Sequence, residues 1–247
     1  MSKDVSADYS LEGFNKIQKA LENKGYINAG AVTLYTEREA LPGIWGRMWA
    51  PLTVRASYYF DIFKEPENYI VVQAKSENID TYAIRLRDLI DTIKFKTGKD
   101  KVNIVAFSMG GLVARRYIQI FGEEGVDHLV LIATPNKGVV GQVADFCSWF
   151  GEQLECRDLQ ENSLFLNKLN RGQFPSIPIT MIAGTGCIMD GGQGDGTVLL
   201  DHAILDGAQN FIVNGSCTSS VDPLHLKLRD IDEYPAVYDY ILKGLGK

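Results

Sequence analysis

The stretch from Val102 to Tyr117, Val-Asn-Ile-Val-Ala-Phe-Ser-Met-Gly-Gly-Leu-Val-Ala-Arg-Arg-Tyr, most narrows what this chain can fold into. Its apolar run from Val102 to Phe107 fits a central parallel strand covered on both faces, and residues 111–121 read as a helix stopped by Gly122. Between them stands a small-x-Ser-x-small turn, the layout of a nucleophile elbow. A serine on so sharp a turn has strained backbone angles, so the residues two places either side must be nearly free of side chain. Ala106 and Gly110 meet that demand. Ser108 Oγ then stands above the sheet at a helix N-terminus, where backbone N–H groups and the helix dipole favour developing negative charge. The five-residue pattern alone arises by chance in roughly one chain in five of this length. The strand before it and the helix after it put a catalytic serine ahead of a structural one.

The remainder reads as a single α/β domain over residues 1–247, a normal length for one such fold. Lys and Arg total 25 against 31 acids, and the net charge of -6 argues against a nucleic-acid partner. The longest apolar stretches run about six residues, far short of a bilayer span. Residues 1–10 are polar and lack the apolar core of a secretory signal, which leaves the compartment open, since the chain can be a mature form or a fragment.

Helical and strand patterns alternate along the chain. Residues 11–24 carry Phe14, Ile17 and Leu21 on one face and stop at Gly25; residues 31–35 read as a strand. Residues 69–73 form a second strand. Asn78 can cap the helix that follows, where Ile79, Ala83, Leu86, Ile90 and Ile93 make one apolar stripe closed by Lys94, Lys96 and Gly98. Further strands are expected at 129–133, 177–183 and 211–214, and a last helix at 234–245. The fold class is therefore α/β, a mostly parallel central sheet with helices on both faces.

A reactive serine needs a base, and the chain has three histidines. His128 immediately precedes the 129–133 strand, at the wrong edge of a parallel sheet for chemistry. His202 lies in the crossover before the last strand. His225 lies beyond that strand, at the C-terminal edge where Ser108 also sits, and is the preferred base. For the carboxylate that orients it, Asp195 in Gly-Gly-Gln-Gly-Asp-Gly-Thr-Val (191–198) is preferred over Asp190 and Asp201, giving the order Ser, Asp, His. The glycine cluster also reads as an ordinary turn, or as a calcium or phosphate loop, but the alternating carboxylates a metal site wants are too few.

Taken together, the elbow, Ala133-Thr-Pro-Asn-Lys-Gly138, the segment Ser163 to Asn170, Gly194-Asp-Gly-Thr-Val198 and His225 make the chain resemble the α/β-hydrolases of the lipase and esterase group. It is similar to small bacterial triacylglycerol lipases and inositol-deacylase-like proteins from about Phe14 onward. The resemblance implies Ser108 as nucleophile, Asp195 and His225 as its partners, the Met109 N–H as one oxyanion donor, and no metal or organic cofactor. Members usually carry an earlier strand ending in a His-Gly or Pro-Gly turn that supplies the second oxyanion N–H; residues 1–10 hold no such strand. Either the customary first strands are missing, or residues 69–73 take that place and the loop 75–78 donates. Phe107 stands where the family often has histidine.

Large apolar and aromatic side chains crowd residues 37–67, an insert that reads as an acyl-binding cap, an interface-seeking patch or, the reading favoured here, cover for a sheet. Residues 139–170 read equally as a lid or as packed core. The four cysteines are expected to pair, Cys187 with Cys217 first, because their strands should end about 5 Å apart, and Cys147 with Cys156 second. Bridges would favour an extracytoplasmic home over four buried thiols in a reducing one. These features point to a monomeric serine esterase acting on ester or lipid-like substrates, with peripheral membrane contact open to it. Acyl transfer, glycolipid deacylation and non-catalytic binding on the same fold are the rival readings.

Overall fold

A computed structural model describes residues 11–34, 41–64, 69–73, 77–145, 147, 152–217 and 223–247, with backbone alone for 60–64 and 69–73. It divides into two compact units, residues 1–75 with 81–102, and residues 76–80 with 103–247.

In the first unit, α1 (Asn15–Glu22) buries Ile17, Gln18 and Leu21, and the Gln18 amide donates toward the carbonyls of Gly30 and Thr53. Those carbonyls belong to β1 (Ile27–Val32) and β2 (Leu52–Ala56), which pair in parallel. Their register slips between Asn28 and Ala31, where Gly30 takes a φ of 78° and its N–H donates to Asn28 Oδ1. β1 thus begins four residues before the strand expected at 31–35, whose last residue, Tyr35, lies outside the described residues.

Residues 37–67 are more than cover. They contain a 3-10 turn (Trp45–Met48), β2 and β3 (Phe60–Lys64), the last pairing antiparallel with β4 (Tyr69–Gln73). Residues 69–73 therefore form a strand whose hydrogen-bonded partner lies in a hairpin. Tyr58 and Tyr59 do pack, against each other and against Tyr82 of α2 (Ile79–Thr97), with ring centroids 4.6 to 5.2 Å apart. Trp49 does not; it is 99% exposed, so at that position the insert does not act as cover.

The second unit holds the central sheet, of spatial order β10-β7-β6-β5, built from β5 (Val102–Phe107), β6 (Val126–Ile132), β7 (Ile179–Thr185) and β10 (Gln209–Asn214). β6 pairs with β7 and β7 with β10 in parallel. Residues 129–132 and 179–184 are buried at every position, so neither face of these strands meets water. Helix α3 (Met109–Phe121) packs on β6, and the C-terminal helix α9 (Pro235–Gly244) lies across β6, β7 and β10. A Cβ at Gly244 would fall 2.7 Å from Val130 and 2.8 Å from Thr180, so only glycine lets that helix end lie so close.

After β6 the chain forms three short helices, α4 (Gly141–Asp145), α5 (Gln153–Leu159) and α6 (Leu164–Arg171). Val139 bridges Gln160 at the base of this segment, whose residues 146 and 148–151 lie outside the described residues. After β7 a small antiparallel pair, β8 (Cys187–Met189) and β9 (Gly192–Gly194), precedes α7 (Leu200–Ala203), and α8 (Leu224–Lys227) follows β10. The glycine-rich run expected as a loop is thus partly a hairpin.

Both expected disulfides are formed, Cys187–Cys217 and Cys147–Cys156. Their sequence separations of 30 and 9 residues correspond to roughly 3.5 and 2.5 kcal/mol of lost unfolded-chain entropy. Titration of the denatured, unreduced protein should find no free thiol, and reduction should lower the unfolding midpoint; four titratable thiols would contradict the pairing.

Candidate active site

Ser108 joins β5 to α3 with φ 53° and ψ -130°, a backbone conformation that side chains rarely adopt. Such a residue persists only where its surroundings over-determine it, at about 1–3 kcal/mol. Here its N–H donates to Ile132 O (2.8 Å) on the neighbouring strand, and its carbonyl accepts from Gly111 N (2.9 Å). Gly111 has no substitute, because a Cβ there would fall 2.0 Å from Thr134 Oγ1 after β6. The turn therefore rests on small residues at 106, 110 and 111 and on two strands of the sheet. Met109 is the first residue of α3, so its N–H is one of the four that the helix leaves without an internal partner.

Asp195 follows β9 and is 1% exposed. Its Oδ1 accepts from the backbone N–H groups of Thr197 (2.9 Å) and Val198 (2.7 Å), which leaves Oδ2 to face His225 Nδ1 at 2.8 Å. The two backbones are also joined, His225 N donating to Asp195 O (2.8 Å). A carboxylate can only accept, so the imidazole hydrogen sits on Nδ1 and donates to Oδ2. The Nε2 lone pair then points at Ser108 Oγ, 2.9 Å away, and the hydroxyl donates to it. His225 is 3% exposed while Ser108 stays half-buried, so the chain of hydrogen bonds runs from the interior out to the solvent-facing oxygen.

The other histidines stand apart. His128 sits in β6 beside Asn103 and Asp127, and His202, on α7, lies near Gly138 O (3.1 Å) and Glu161 (3.7 Å). Of the rival acids, Asp190 precedes β9 and Asp201 is exposed on α7. The loop 75–78, considered as a second N–H donor, falls partly outside the described residues.

Two contacts had no advance signal of their own. The Phe107 ring packs on His225 with centroids 4.9 Å apart, and the Arg229 guanidinium stands 4.5 Å from the same ring. The amides of Thr197 and Val198 form an Asx-type turn with Asp195, which Asp-Gly-Thr could have announced. The Arg115 guanidinium is held by Asn136 and Asn170, one asparagine from each of two segments quoted with the resemblance. Burial pushes its pKa down to about 10, and Asn136 also reaches Ala203 O, tying α3, α6 and α7 together.

A model of the alpha/beta hydrolase fold family matches residues 64–174, which include Ser108 but neither Asp195 nor His225. The mature form of a Bacillus licheniformis lipase aligns with 17% identity over 68% of this chain and 78% of its own, TM-score 0.52. A gene product of Listeria innocua aligns with 16% identity over 97% and 89%, TM-score 0.58, and a Bacillus subtilis carboxylesterase with 14% identity over 89% and 84%, TM-score 0.50. No curated protein sequence matches. The protein has the α/β-hydrolase fold. At these identities the likeness extends to fold alone, and activity must be argued from the site.

The close packing behind Asp195 gives a test. A Cβ at Gly184 would fall 2.7 Å from Asp195 Cβ and 2.9 Å from Leu228 Cδ1. Gly184→Ala should therefore destabilise the protein by about 1–3 kcal/mol in urea unfolding; an unchanged midpoint would contradict the packing described.

Proposed function

We propose that this chain is a serine hydrolase of carboxylic esters, with Ser108 as nucleophile, His225 as general base and acid, and Asp195 as the group that orients and supports the imidazolium. The observation that carries the reading is the unbroken hydrogen-bond chain Asp195 Oδ2, His225, Ser108 Oγ at 2.8 and 2.9 Å. It is supported by the orphan N–H of Met109 beside the serine.

In this reading Ser108 Oγ attacks the ester carbonyl while its proton passes to His225 Nε2. Asp195, already bound to two backbone N–H groups through Oδ1, stays ionised and faces the new positive charge through Oδ2. The oxyanion takes a hydrogen bond from Met109 N–H and one from a second donor, for which the segment before α2 is our candidate. The imidazolium returns its proton to the departing alcohol and leaves an acyl-enzyme. Water then attacks that ester with His225 again as base, releasing the acid and restoring Ser108.

An apolar, lipid-like acyl group is the proposed substrate class. The lipase and carboxylesterase among structures of like fold are in keeping with it without deciding it. The two disulfides favour an oxidising, extracytoplasmic home. Among the described residues no helix is long and apolar enough to cross a membrane. We also propose that residues 1–247 act as one hydrolase domain and as a monomer.

A fluorophosphonate should label the folded protein, and Ser108→Ala should abolish labelling without altering the unfolding midpoint. Folded wild-type protein that stays unlabelled would favour a binding role instead. Asp195→Asn should leave the fold intact and lower ester turnover by about three to four orders of magnitude, because the wrong imidazole tautomer then faces the serine. A drop of less than about tenfold would remove Asp195 from the mechanism.

A further inference from the structure

The segment between β1 and β2 exposes four large apolar side chains within nine residues. Leu41 is 64% exposed, Ile44 39%, Met48 47% and Trp49 99%. Ile44 precedes and Met48 ends the short 3-10 turn Trp45–Met48, and Leu41 and Trp49 lie on either side of it. Isolated exposed apolar residues are ordinary; a cluster led by a fully exposed tryptophan is not.

The cluster is firmly mounted. Gly43 N–H donates to Phe95 O (2.8 Å), a Cβ at Gly46 would fall 2.1 Å from Thr97 O, and the ring of Trp45 lies under the Lys96 ammonium at 5.1 Å. The segment is thereby clamped against the C-terminal end of α2. That end is basic, with Lys94, Lys96, Lys99 and Lys101 and one acid, Asp100, among residues 94–101. Arg47, Lys99 and Lys101 are exposed. A chain of net charge -6 thus concentrates cations beside its most exposed apolar cluster.

We propose that residues 41–49, with Lys99 and Lys101, form a docking surface for an anionic lipid interface. Tryptophan, methionine and leucine enter the boundary between headgroups and acyl chains, while arginine and lysine keep their charged ends at the headgroups. Basic residues near an anionic membrane add to the attraction. A second copy docked on the same patch would bring Arg47, Lys99 and Lys101 against like charges, so an anionic surface is the better-matched occupant. The inference does not depend on Ser108, and its test keeps the two apart.

Co-sedimentation with vesicles of phosphatidylcholine, with and without phosphatidylglycerol, reads the proposal directly. Wild-type protein should bind the anionic vesicles, with a blue shift of tryptophan emission, and Ser108→Ala should bind equally. Trp49→Ala and Met48→Ser should each weaken binding by about tenfold. The double variant Lys99→Glu/Lys101→Glu should lose the preference for phosphatidylglycerol while a soluble short-chain ester is still turned over as by wild type. The proposal fails if wild type ignores both vesicles, or if Trp49→Ala binds like wild type. Sedimentation velocity showing a dimer that Trp49→Ala dissociates would assign the surface to a second copy and overturn it as well.

Discussion

The site rests on a strained backbone at Ser108, with φ 53° at the junction of β5 and α3. No side chain gains from that conformation, so its cost of about 1–3 kcal/mol is offset by what surrounds it. The surroundings are specific. Ile132 of the neighbouring strand accepts the Ser108 N–H, and α3 approaches Thr134 so closely that residue 111 must be glycine. The central sheet, buried on both faces from 129 to 132 and from 179 to 184, is the rigid body that holds the turn in place.

A second constraint builds outward from the first. Asp195 is a buried carboxylate, and a buried anion is tolerable only when its oxygens are satisfied. Two backbone N–H groups take Oδ1, which fixes the carboxyl plane and leaves Oδ2 for His225. The polypeptide around it is tied at several points: to Val198, to the backbone of His225, and through β8 to the Cys187–Cys217 bridge. Gly184 beneath and Gly196 beside Asp195 both face atoms that would meet a Cβ at under 3 Å. Close packing seats the Asp195 backbone, and the hydrogen bonds to Oδ1 set the direction of the carboxylate.

How much of this the sequence disclosed differed between the two units. In the second, β6 and β7 are continuous apolar runs buried at 129–132 and 179–184. Val102–Phe107, read to the residue, is mostly half-buried and ends the described sheet instead of lying at its centre with both faces covered. The three residues singled out from the sequence meet within hydrogen-bond distance because parallel strands deliver every following loop to the same edge, and three histidines left little to choose between. In the first unit β1 and β2 are short and largely half-buried. β2, Leu-Thr-Val-Arg-Ala, alternates weakly inside an aromatic-rich segment, and β3 is held by its hairpin partner more than by any pattern of its own. The Phe107–His225–Arg229 stack escaped notice because an apolar residue before a serine looks like packing until the fold shows what it packs on.

The most direct test is a crystal structure of the protein after reaction with a fluorophosphonate. The account predicts phosphorus bonded to Ser108 Oγ, the phosphoryl oxygen within hydrogen-bond distance of Met109 N, and His225 Nε2 facing the reacted oxygen with Asp195 still on Nδ1. A phosphorus atom on another residue, or a His225 ring turned away from an adduct at Ser108, would contradict it.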